Sequence, residues 1–276
     1  MITVREHNIM ANFFPPVSDQ PAPAVLLLGG SDGGLETASS LAPLLNAHGY
    51  AVLALAYFGI ASLPAILEEI PLEYFEHAIA WLQAQPTVLA DRIGVVGISK
   101  GGEAALVLGS LFSSLRAVAA LVPANVVFQS VDYEWFRRQT ARSSWTHAGQ
   151  PLPFVPYRMD QQLITKHGFM LGMYIGSLQN TNAAARAEIA VERTRGAILL
   201  ISGEQDNLWP SKRMCTAITQ RLHQHHFAYP VEHYTYSAAG HTLWSGSVEG
   251  GGTASGNAAA HTHAWAHVVA FLNTNL

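Results

Sequence analysis

The chain has 276 residues, of which 49% are hydrophobic and 12% are charged, and its formal net charge is −4. This composition excludes intrinsic disorder and indicates a large core. The weak negative charge excludes the basic surface that DNA or RNA binding requires, so we expect no nucleic-acid partner.

Buried strands and helices are predicted to alternate along most of the chain. In order they are a strand at residues 24–28, a helix at 36–47, a strand at 50–57, a helix at 72–83, a strand at 92–96, a helix at 101–112, a strand at 117–122, a strand at 197–202, a helix at 211–223, a strand at 231–236 and a helix at 258–272. This alternation predicts an α/β fold, a mostly parallel sheet with helices on both faces. Any active site then lies at the carboxyl-terminal edge of the strands.

The alternation stops between residues 125 and 195, a segment rich in aromatic residues, prolines and arginines. We predict one domain over residues 1–276, with 125–195 inserted beside the sheet edge as a cap. The alternative is a helical excursion that fills the core, because aromatic side chains most often simply pack. From its composition, the segment 245–257 (SGSVEGGGTASGN) is predicted to be a flexible loop.

Location and assembly follow from simple features. Cys215 is the one cysteine, so an intrachain disulfide is excluded. The first residues carry Arg5, Glu6 and His7 where a signal peptide needs an apolar run, so we expect a cytoplasmic protein. Apolar runs fall short of the roughly 20 residues of a membrane-spanning helix, so no membrane insertion is expected. The last helix packs on its own sheet or on a second subunit, which leaves a homodimer open.

A candidate nucleophile lies in the motif G-x-S-x-G at residues 97–101, whose serine is Ser99. In this motif a tight turn between a strand and a helix exposes the serine hydroxyl. Residues 29–33 match the same pattern around Ser31. Ser99 is preferred because a predicted strand precedes it, a helix follows it, and two strand–helix units upstream supply the rest of a site.

A serine nucleophile needs a histidine base and an orienting carboxylate. Asp206 follows the strand at 197–202 in a polar turn, and Glu204 is the reserve carboxylate. His241 follows the strand at 231–236 and a turn of small residues near the C terminus. These positions predict the order Ser99, Asp206, His241.

The developing oxyanion needs backbone amides as hydrogen-bond donors. The pattern predicts the amide of Lys100 and one amide from the loop after the first strong strand, with Ser31 preferred and Gly30 next. The side chain of Lys100 is expected to point to solvent.

The sequence contains features of two other kinds of site. Clustered histidines resemble a metal site, but no carboxylate-bearing metal signature accompanies them, so no metal is expected; they are His223, His225, His226, His261, His263 and His267. The glycine-rich loop GGSDGG matches neither the phosphate-binding nor the dinucleotide-binding pattern. We therefore expect no cofactor.

Several long stretches together resemble one family, the C-terminal catalytic domain of acyl-CoA thioester hydrolases and bile acid-CoA:amino acid N-acyltransferases. They are AYFGIASLPAILEEIPLEYFEHAIAWL, GISKGGEAAL, GQPLPFVPY, SGEQDNLWPS and AAGH. The resemblance implies an α/β-hydrolase fold with Ser99 as nucleophile, Asp206 as carboxylate and His241 as base. Mammalian members carry a β-sandwich domain before the catalytic one, where this sequence has residues 1–19. The N-acyltransferase branch uses cysteine as nucleophile, so serine at position 99 favours hydrolysis.

The predicted function is serine-dependent cleavage of an acyl thioester through an acyl-Ser99 intermediate. The alternatives are a carboxylesterase, a pathway-specific hydrolase, lyase or acyltransferase, and a binding module, although such modules usually lose a member of the triad. Candidates for binding substrate phosphates or carboxylates, or else for a solvated basic face, are Arg137, Arg138 and Arg142. Candidate acyl contacts in the cap are Trp145, Phe154 and Tyr157.

Overall fold

The structure is a computed structural model that describes residues 1–6, 8–18, 20–132 and 140–276. Its strands are β1 Ile2–Val4, β2 Met10–Phe14, β3 Ala22–Leu28, β4 Ala51–Ala56, β5 Ile70–Pro71, β6 Val88–Ile98, β7 Leu115–Leu121, β8 Trp145–His147, β9 Gln150–Pro151, β10 Ala197–Gly203 and β11 Val231–Tyr236. Its α-helices are α1 Glu36–Asn46, α2 Leu72–Gln83, α3 Lys100–Leu111, α4 Gln161–His167, α5 Phe169–Leu178, α6 Thr181–Ala187, α7 Ser211–Gln224 and α8 Ala254–Asn275. Each predicted strand and helix is present, with shifted ends in most cases.

Eight strands form the main sheet in the order β1-β2-β4-β3-β6-β7-β10-β11. The pairings from β4 to β11 are all parallel, whereas β1 and β2 pair antiparallel at one edge. The prediction of a mostly parallel sheet is confirmed. The two antiparallel strands were not predicted.

Helices cover both faces of this sheet, as predicted. Successive residues of a strand point to opposite faces, and Leu26 and Leu27 of β3 accordingly belong to two different cores. The core around Leu26 includes residues of α2, α3 and α7, and the core around Leu27 includes residues of α1 and α8. Helix α8 thus packs on the sheet of its own chain, while a homodimer stays a prediction. In the described part of the chain, every helix is too short or too polar to span a lipid bilayer.

The segment 125–195 contains β8, β9 and the helices α4 to α6, and β8 pairs with β5 in a small separate sheet. Part of it fills a third core, in which Phe128, Met173 and Tyr174 pack with Trp209 and Met214. Helix α5 also reaches the cavity described below. The segment therefore combines core packing with a position next to the sheet edge.

The segment 245–257, predicted to be a flexible loop, is irregular only as far as Thr253, and its last four residues belong to helix α8. Helix α8 begins at Ala254, and the Thr253 side chain caps it by accepting a hydrogen bond from the amide of Gly256. Gly256 lies so close to the preceding turn that a Cβ there would be 2.3 Å from the carbonyl oxygen of Ala238. Small residues here allow two backbone segments to lie close together. A flexible loop has the same composition, so the sequence does not distinguish the two.

Candidate active site

Ser99 occupies a sharp turn between the end of β6 and the first residue of α3. Its backbone has φ 55° and ψ −117°, a strained conformation for a residue with a side chain that costs about 1–3 kcal/mol. The flanking glycines make the turn possible. A Cβ at Gly97 would be 2.0 Å from the Gly101 carbonyl oxygen, and a Cβ at Gly101 would be 2.2 Å from the Gly29 carbonyl oxygen. The motif therefore has a steric cause.

Ser99, His241 and Asp206 form a continuous series of hydrogen bonds. His241 Nε2 lies 2.9 Å from Ser99 Oγ, and His241 Nδ1 lies 2.9 Å from Asp206 Oδ2. An ionised carboxylate only accepts hydrogen bonds, so Nδ1 carries the proton and Nε2 accepts from the serine hydroxyl. The histidine and aspartate are 6% and 5% exposed, and this burial strengthens the interaction between them.

The orientation of Asp206 is set by the turn after β10. Its Oδ1 accepts hydrogen bonds from the amides of Leu208 and Trp209, at 3.0 and 3.1 Å. The ring of Trp209 packs edge-on against the imidazole of His241. Glu204, the reserve carboxylate, is partly exposed and pairs with Lys212 instead. The structure therefore joins Asp206, and not Glu204, to the histidine.

Hydrogen bonds with Gly250 and Asn257 hold the loop that carries His241. The His241 amide donates to the Gly250 carbonyl at 2.8 Å, and the Gly240 amide donates to Asn257 Oδ1 at 2.8 Å. The amide of the fully buried Asn257 side chain donates in turn to the carbonyls of Ser247 and Gly251. Sequence reasoning missed Asn257 because an asparagine among glycines and serines is typical of a loop.

A cavity of about 400 Å³ opens at Ser99. Its lining includes Gly30, Ser31 and Lys100, the three residues predicted to supply oxyanion donors. Lys100 is the first residue of α3, where an amide has no acceptor within the helix and the helix dipole favours negative charge. Gly30 faces the serine, since a Cβ there would be 3.3 Å from Ser99 Cβ. The residues that carry the candidate donors thus line the same cavity as Ser99.

The aromatic and apolar wall of the cavity differs from the predicted acyl contacts. It consists of Met170 and Tyr174 from α5, with Leu208, Trp209 and Trp244. Of the predicted contacts, Trp145 is buried beneath the site, Phe154 lines a separate groove, and Tyr157 lies behind Tyr174 with its hydroxyl 3.3 Å away. Helix α5 is apolar almost throughout (FMLGMYIGSL), so its sequence does not show which face reaches the cavity.

Of the predicted arginine contacts, Arg142 is not part of this lining. Arg142 is paired with Glu69 at 2.9 Å and lies 3.9 Å from Glu68, away from the cavity. Arg137 and Arg138 lie outside the described residues. The pairing of Arg142 with two glutamates of the segment before α2 is a long-range contact that the local sequence does not reveal.

Two of the clustered histidines have other side-chain contacts. His261 Nδ1 is 2.7 Å from the Trp244 carbonyl oxygen, and His267 stacks on Tyr234 at 3.6 Å. Within the part of the chain that is described, no three histidine, cysteine, aspartate or glutamate side chains are grouped so that they could hold a metal ion.

The prediction that the Lys100 side chain points to solvent is wrong. Its side chain is 1% exposed, and its Nζ lies 2.6 Å from Oε1 of the fully buried Glu103. The indole of Trp145 donates to the same carboxylate oxygen at 2.8 Å. Burial lowers the pKa of Lys100 and raises the pKa of Glu103, while their mutual attraction opposes both shifts. The sequence does contain one indication of this buried pair, a single glutamate three residues after the lysine in an otherwise apolar helix.

This buried pair predicts a large stability effect. Lys100→Met leaves the Glu103 carboxylate buried without its partner, and we expect a loss of about 3–5 kcal/mol in the free energy of unfolding. Lys212→Met, which breaks the exposed pair with Glu204, is the matched control, with an expected loss of no more than about 1 kcal/mol. Urea denaturation of both variants measures the two losses. Equal losses would contradict the account of the buried pair.

Comparison with known proteins identifies relatives. Acyl-coenzyme A thioesterase 2, mitochondrial, of Mus musculus is 29% identical over 289 residues, covering 100% of this chain and 60% of the relative. Acyl-coenzyme A thioesterase 1 of Mus musculus is 30% identical, covering 100% of this chain and 65% of the relative. The chain thus spans 60–65% of the length of these two relatives. Because the name of the first relative includes the word mitochondrial, the comparison does not establish a cytoplasmic location for this chain, which stays a prediction.

The structural and family comparisons agree with each other. The alpha/beta hydrolase GrgF from Penicillium sp. has a TM-score of 0.60 at 17% identity, covering 97% of this chain and 94% of that chain, which confirms the predicted α/β-hydrolase fold. The family model described as "BAAT / Acyl-CoA thioester hydrolase C terminal" matches residues 70–246, more than half of the chain. The predicted resemblance is confirmed: the chain belongs to the BAAT / acyl-CoA thioester hydrolase C-terminal family.

Proposed function

We propose that this protein hydrolyses acyl thioesters through a covalent acyl-Ser99 intermediate. The observation that carries the proposal is the hydrogen-bonded series from Asp206 through His241 to the Ser99 hydroxyl, which ends in an open cavity. The names of the family and of the two thioesterase relatives supply the substrate class, an acyl thioester of coenzyme A. A thioester on a carrier protein presents the same reacting carbonyl.

In the acylation step, His241 Nε2 takes the proton of the Ser99 hydroxyl as Oγ attacks the thioester carbonyl carbon. The carbonyl π electrons move to the oxygen and form a tetrahedral oxyanion. When this collapses, the carbon–sulfur bond breaks and His241 delivers its proton to the leaving thiolate. Asp206 holds the imidazole in the required tautomer and stabilises its charged form. The products of this half-reaction are a free thiol and acyl-Ser99.

In the second step a water molecule attacks the acyl-Ser99 ester. His241 takes one proton of the water and returns it to Ser99 Oγ as the carbon–oxygen bond to the serine breaks. The products are a free carboxylic acid and the starting enzyme. Both tetrahedral intermediates are stabilised by the Lys100 amide together with the amide of Ser31 or Gly30, and one such donor is typically worth about 10²–10³ in kcat.

The wall formed by Met170, Tyr174, Leu208, Trp209 and Trp244 suits an acyl group, because apolar side chains remove its hydrocarbon from water. Two of these residues lie on α5, in the segment 125–195. We assign that segment the role of a cap within one domain that selects the acyl chain. The lining also includes the hydroxyl side chains of Thr37, Ser245 and Ser247, which suit the polar part of the substrate.

Met170 should therefore set the preferred chain length. Met170→Trp narrows the cavity, so the longest acyl chain can no longer be fully buried. Each methylene left in water costs about 0.8 kcal/mol, and we expect kcat/KM for that chain to fall about tenfold or more. Shorter chains should be little affected. The matched control is Met159→Trp, at an exposed methionine of the same segment, with an unchanged profile expected. Equal profiles for the two variants would contradict a role of α5 in acyl selection.

The thioester assignment is tested by following free thiol with acyl-CoA thioesters of graded chain length and, in parallel, with oxygen esters of the same acyl groups. We expect thiol release with free acid as the product and a higher kcat/KM for each thioester than for its matching ester. Labelling of Ser99 by a fluorophosphonate without any thiol release would retain the nucleophile and overturn the thioester assignment, leaving an ester or another acyl substrate.

A further inference from the structure

Tyr57 follows β4 directly and lies beneath the glycine-rich loop at residues 29–34. Its side chain is buried, and its hydroxyl oxygen is 2.7 Å from the carbonyl oxygen of Gly29 and 3.1 Å from that of Gly30. The single hydroxyl proton is shared between these two acceptors. Tyr57 does not line the cavity, so it does not contact a substrate there.

These two hydrogen bonds act on the peptide planes that carry the candidate oxyanion donors. A trans peptide is planar, and its N–H points opposite to its C=O. Holding the Gly29 carbonyl therefore directs the Gly30 amide away from Tyr57, and holding the Gly30 carbonyl directs the Ser31 amide in the same way. Gly30 and Ser31 both line the cavity beside Ser99. The orientation of both amides therefore depends on the Tyr57 hydroxyl, whichever of them donates to the oxyanion.

The loop needs such an anchor because glycine leaves the backbone free to rotate. Gly33 and Gly34, just beyond the candidate donors, have φ of 69° and 67°, values that side chains rarely allow. Without a fixed contact, the peptide planes of Gly30 and Ser31 would sample several orientations. Stabilisation of an oxyanion requires donors that are oriented before the charge develops.

Tyr57 itself packs in a buried layer of aromatic side chains. Its ring packs against Phe75 and Trp145, with ring centroids 5.3 and 5.8 Å apart. The Trp145 indole donates to Glu103, which pairs with Lys100, whose amide is the other candidate donor. One connected group of side chains thus underlies both sides of the oxyanion site. Burial also raises the pKa of Tyr57 well above its usual value, so its hydroxyl stays a donor over the assay range.

We infer that Tyr57 is a positioning residue that orients the oxyanion-binding amides of Gly30 and Ser31 through their peptide planes. The inference rests on the proposed function, since it concerns stabilisation of the same tetrahedral intermediate. It assigns Tyr57 no contact with the substrate and no proton transfer. Its effect belongs to the transition state and not to substrate binding.

The test is Tyr57→Phe, which removes the hydroxyl and keeps the ring packing. The matched control is Tyr74→Phe, because the Tyr74 hydroxyl donates to the carbonyl of Ala56 at 2.7 Å, one residue before Tyr57 but outside the cavity lining. Both variants lose a tyrosine hydroxyl that donates to a backbone carbonyl, although Tyr74 is only partly buried and its hydroxyl also accepts from the Met10 amide at 3.1 Å. We expect kcat to fall about 10- to 100-fold in Tyr57→Phe, a partial loss of what a donor contributes, with KM changed less than about twofold. In Tyr74→Phe, kcat should stay within about twofold of wild type.

A second measurement separates positioning from a merely structural role. A boronic acid that forms a tetrahedral adduct with Ser99 mimics the oxyanion, whereas the product carboxylic acid mimics the ground state. We expect the inhibition constant of the boronic acid to rise in proportion to the loss in kcat/KM, and that of the product to stay unchanged. An equal rise for both ligands, or a boronic acid constant unchanged in Tyr57→Phe, would overturn the inference.

Failure of this inference is distinguishable from failure of the proposed function. The rate at which a fluorophosphonate modifies Ser99 also depends on the oxyanion donors, but it requires no thioester. If the wild type cleaved no thioester, the proposed function would fail, and slower modification in Tyr57→Phe than in Tyr74→Phe would still support the positioning role. Equal modification rates in the two variants would overturn it, whatever the substrate.

Discussion

Replacing Ser99 by alanine is expected to lower thioester turnover by about four orders of magnitude or more, the loss that removal of a serine nucleophile typically causes. The Ser99 hydroxyl is 2.9 Å from His241 Nε2, and no acyl enzyme forms without it. Fold and stability should be retained, since only one oxygen atom is removed. Initial rates of thiol release, with thermal unfolding as a check of folding, measure the effect.

The matched control is Ser31→Ala, at the serine of the second G-x-S-x-G motif. Ser31 is expected to contribute its backbone amide, which alanine keeps, so turnover should stay within about fivefold of wild type. Comparable losses in the two variants, or wild-type turnover in Ser99→Ala, would show that Ser99 is not the nucleophile.

The second large effect concerns Asp206→Asn, for which we expect a fall in kcat of about 10⁴-fold, as for the equivalent change in a serine protease triad. The asparagine amide group can stabilise the wrong tautomer of His241, in which Nε2 carries the proton and no longer accepts one from Ser99. The backbone amides of Leu208 and Trp209 still have an oxygen to bind, so the turn should persist. Steady-state kinetics with the preferred thioester measure the loss.

Glu204→Gln is the control for this second variant. Glu204 is the other carboxylate of the same turn and is paired with Lys212, so its loss should change kcat less than about twofold. A large loss in Glu204→Gln together with a small one in Asp206→Asn would transfer the orienting role to Glu204. Equal and small losses would mean that the histidine needs no carboxylate.

The parallel sheet and its helices were predictable because their signals are local. Helix α2 (Leu72–Gln83) and strand β11 (Val231–Tyr236) have the predicted boundaries. β1 and β2 were missed because they are short and partly exposed, so their apolar pattern is weak. Helix α8 was predicted four residues too short at its start, because Gly256 and Asn257 are typical of loops until their close packing is known.

The series Ser99, Asp206, His241 was predictable because parallel strands bring their carboxyl ends to one edge, so order along the chain translates into proximity. Features that depend on distant partners were not predictable. The buried position of Lys100 depends on Glu103 and Trp145 together, and the positions of Met170 and Tyr174 depend on how α5 packs. The anchoring of the Gly29 and Gly30 carbonyls by Tyr57 likewise joins residues that no motif links.

The acyl-Ser99 intermediate is tested most directly by mass spectrometry of the protein quenched with acid during turnover of a thioester. We expect a covalent adduct with the mass of the acyl group, located by proteolysis on the peptide that contains Ser99, and no such adduct in Ser99→Ala. An acyl group on another residue in the wild type, or an adduct that persists in Ser99→Ala, would contradict an acyl-Ser99 intermediate.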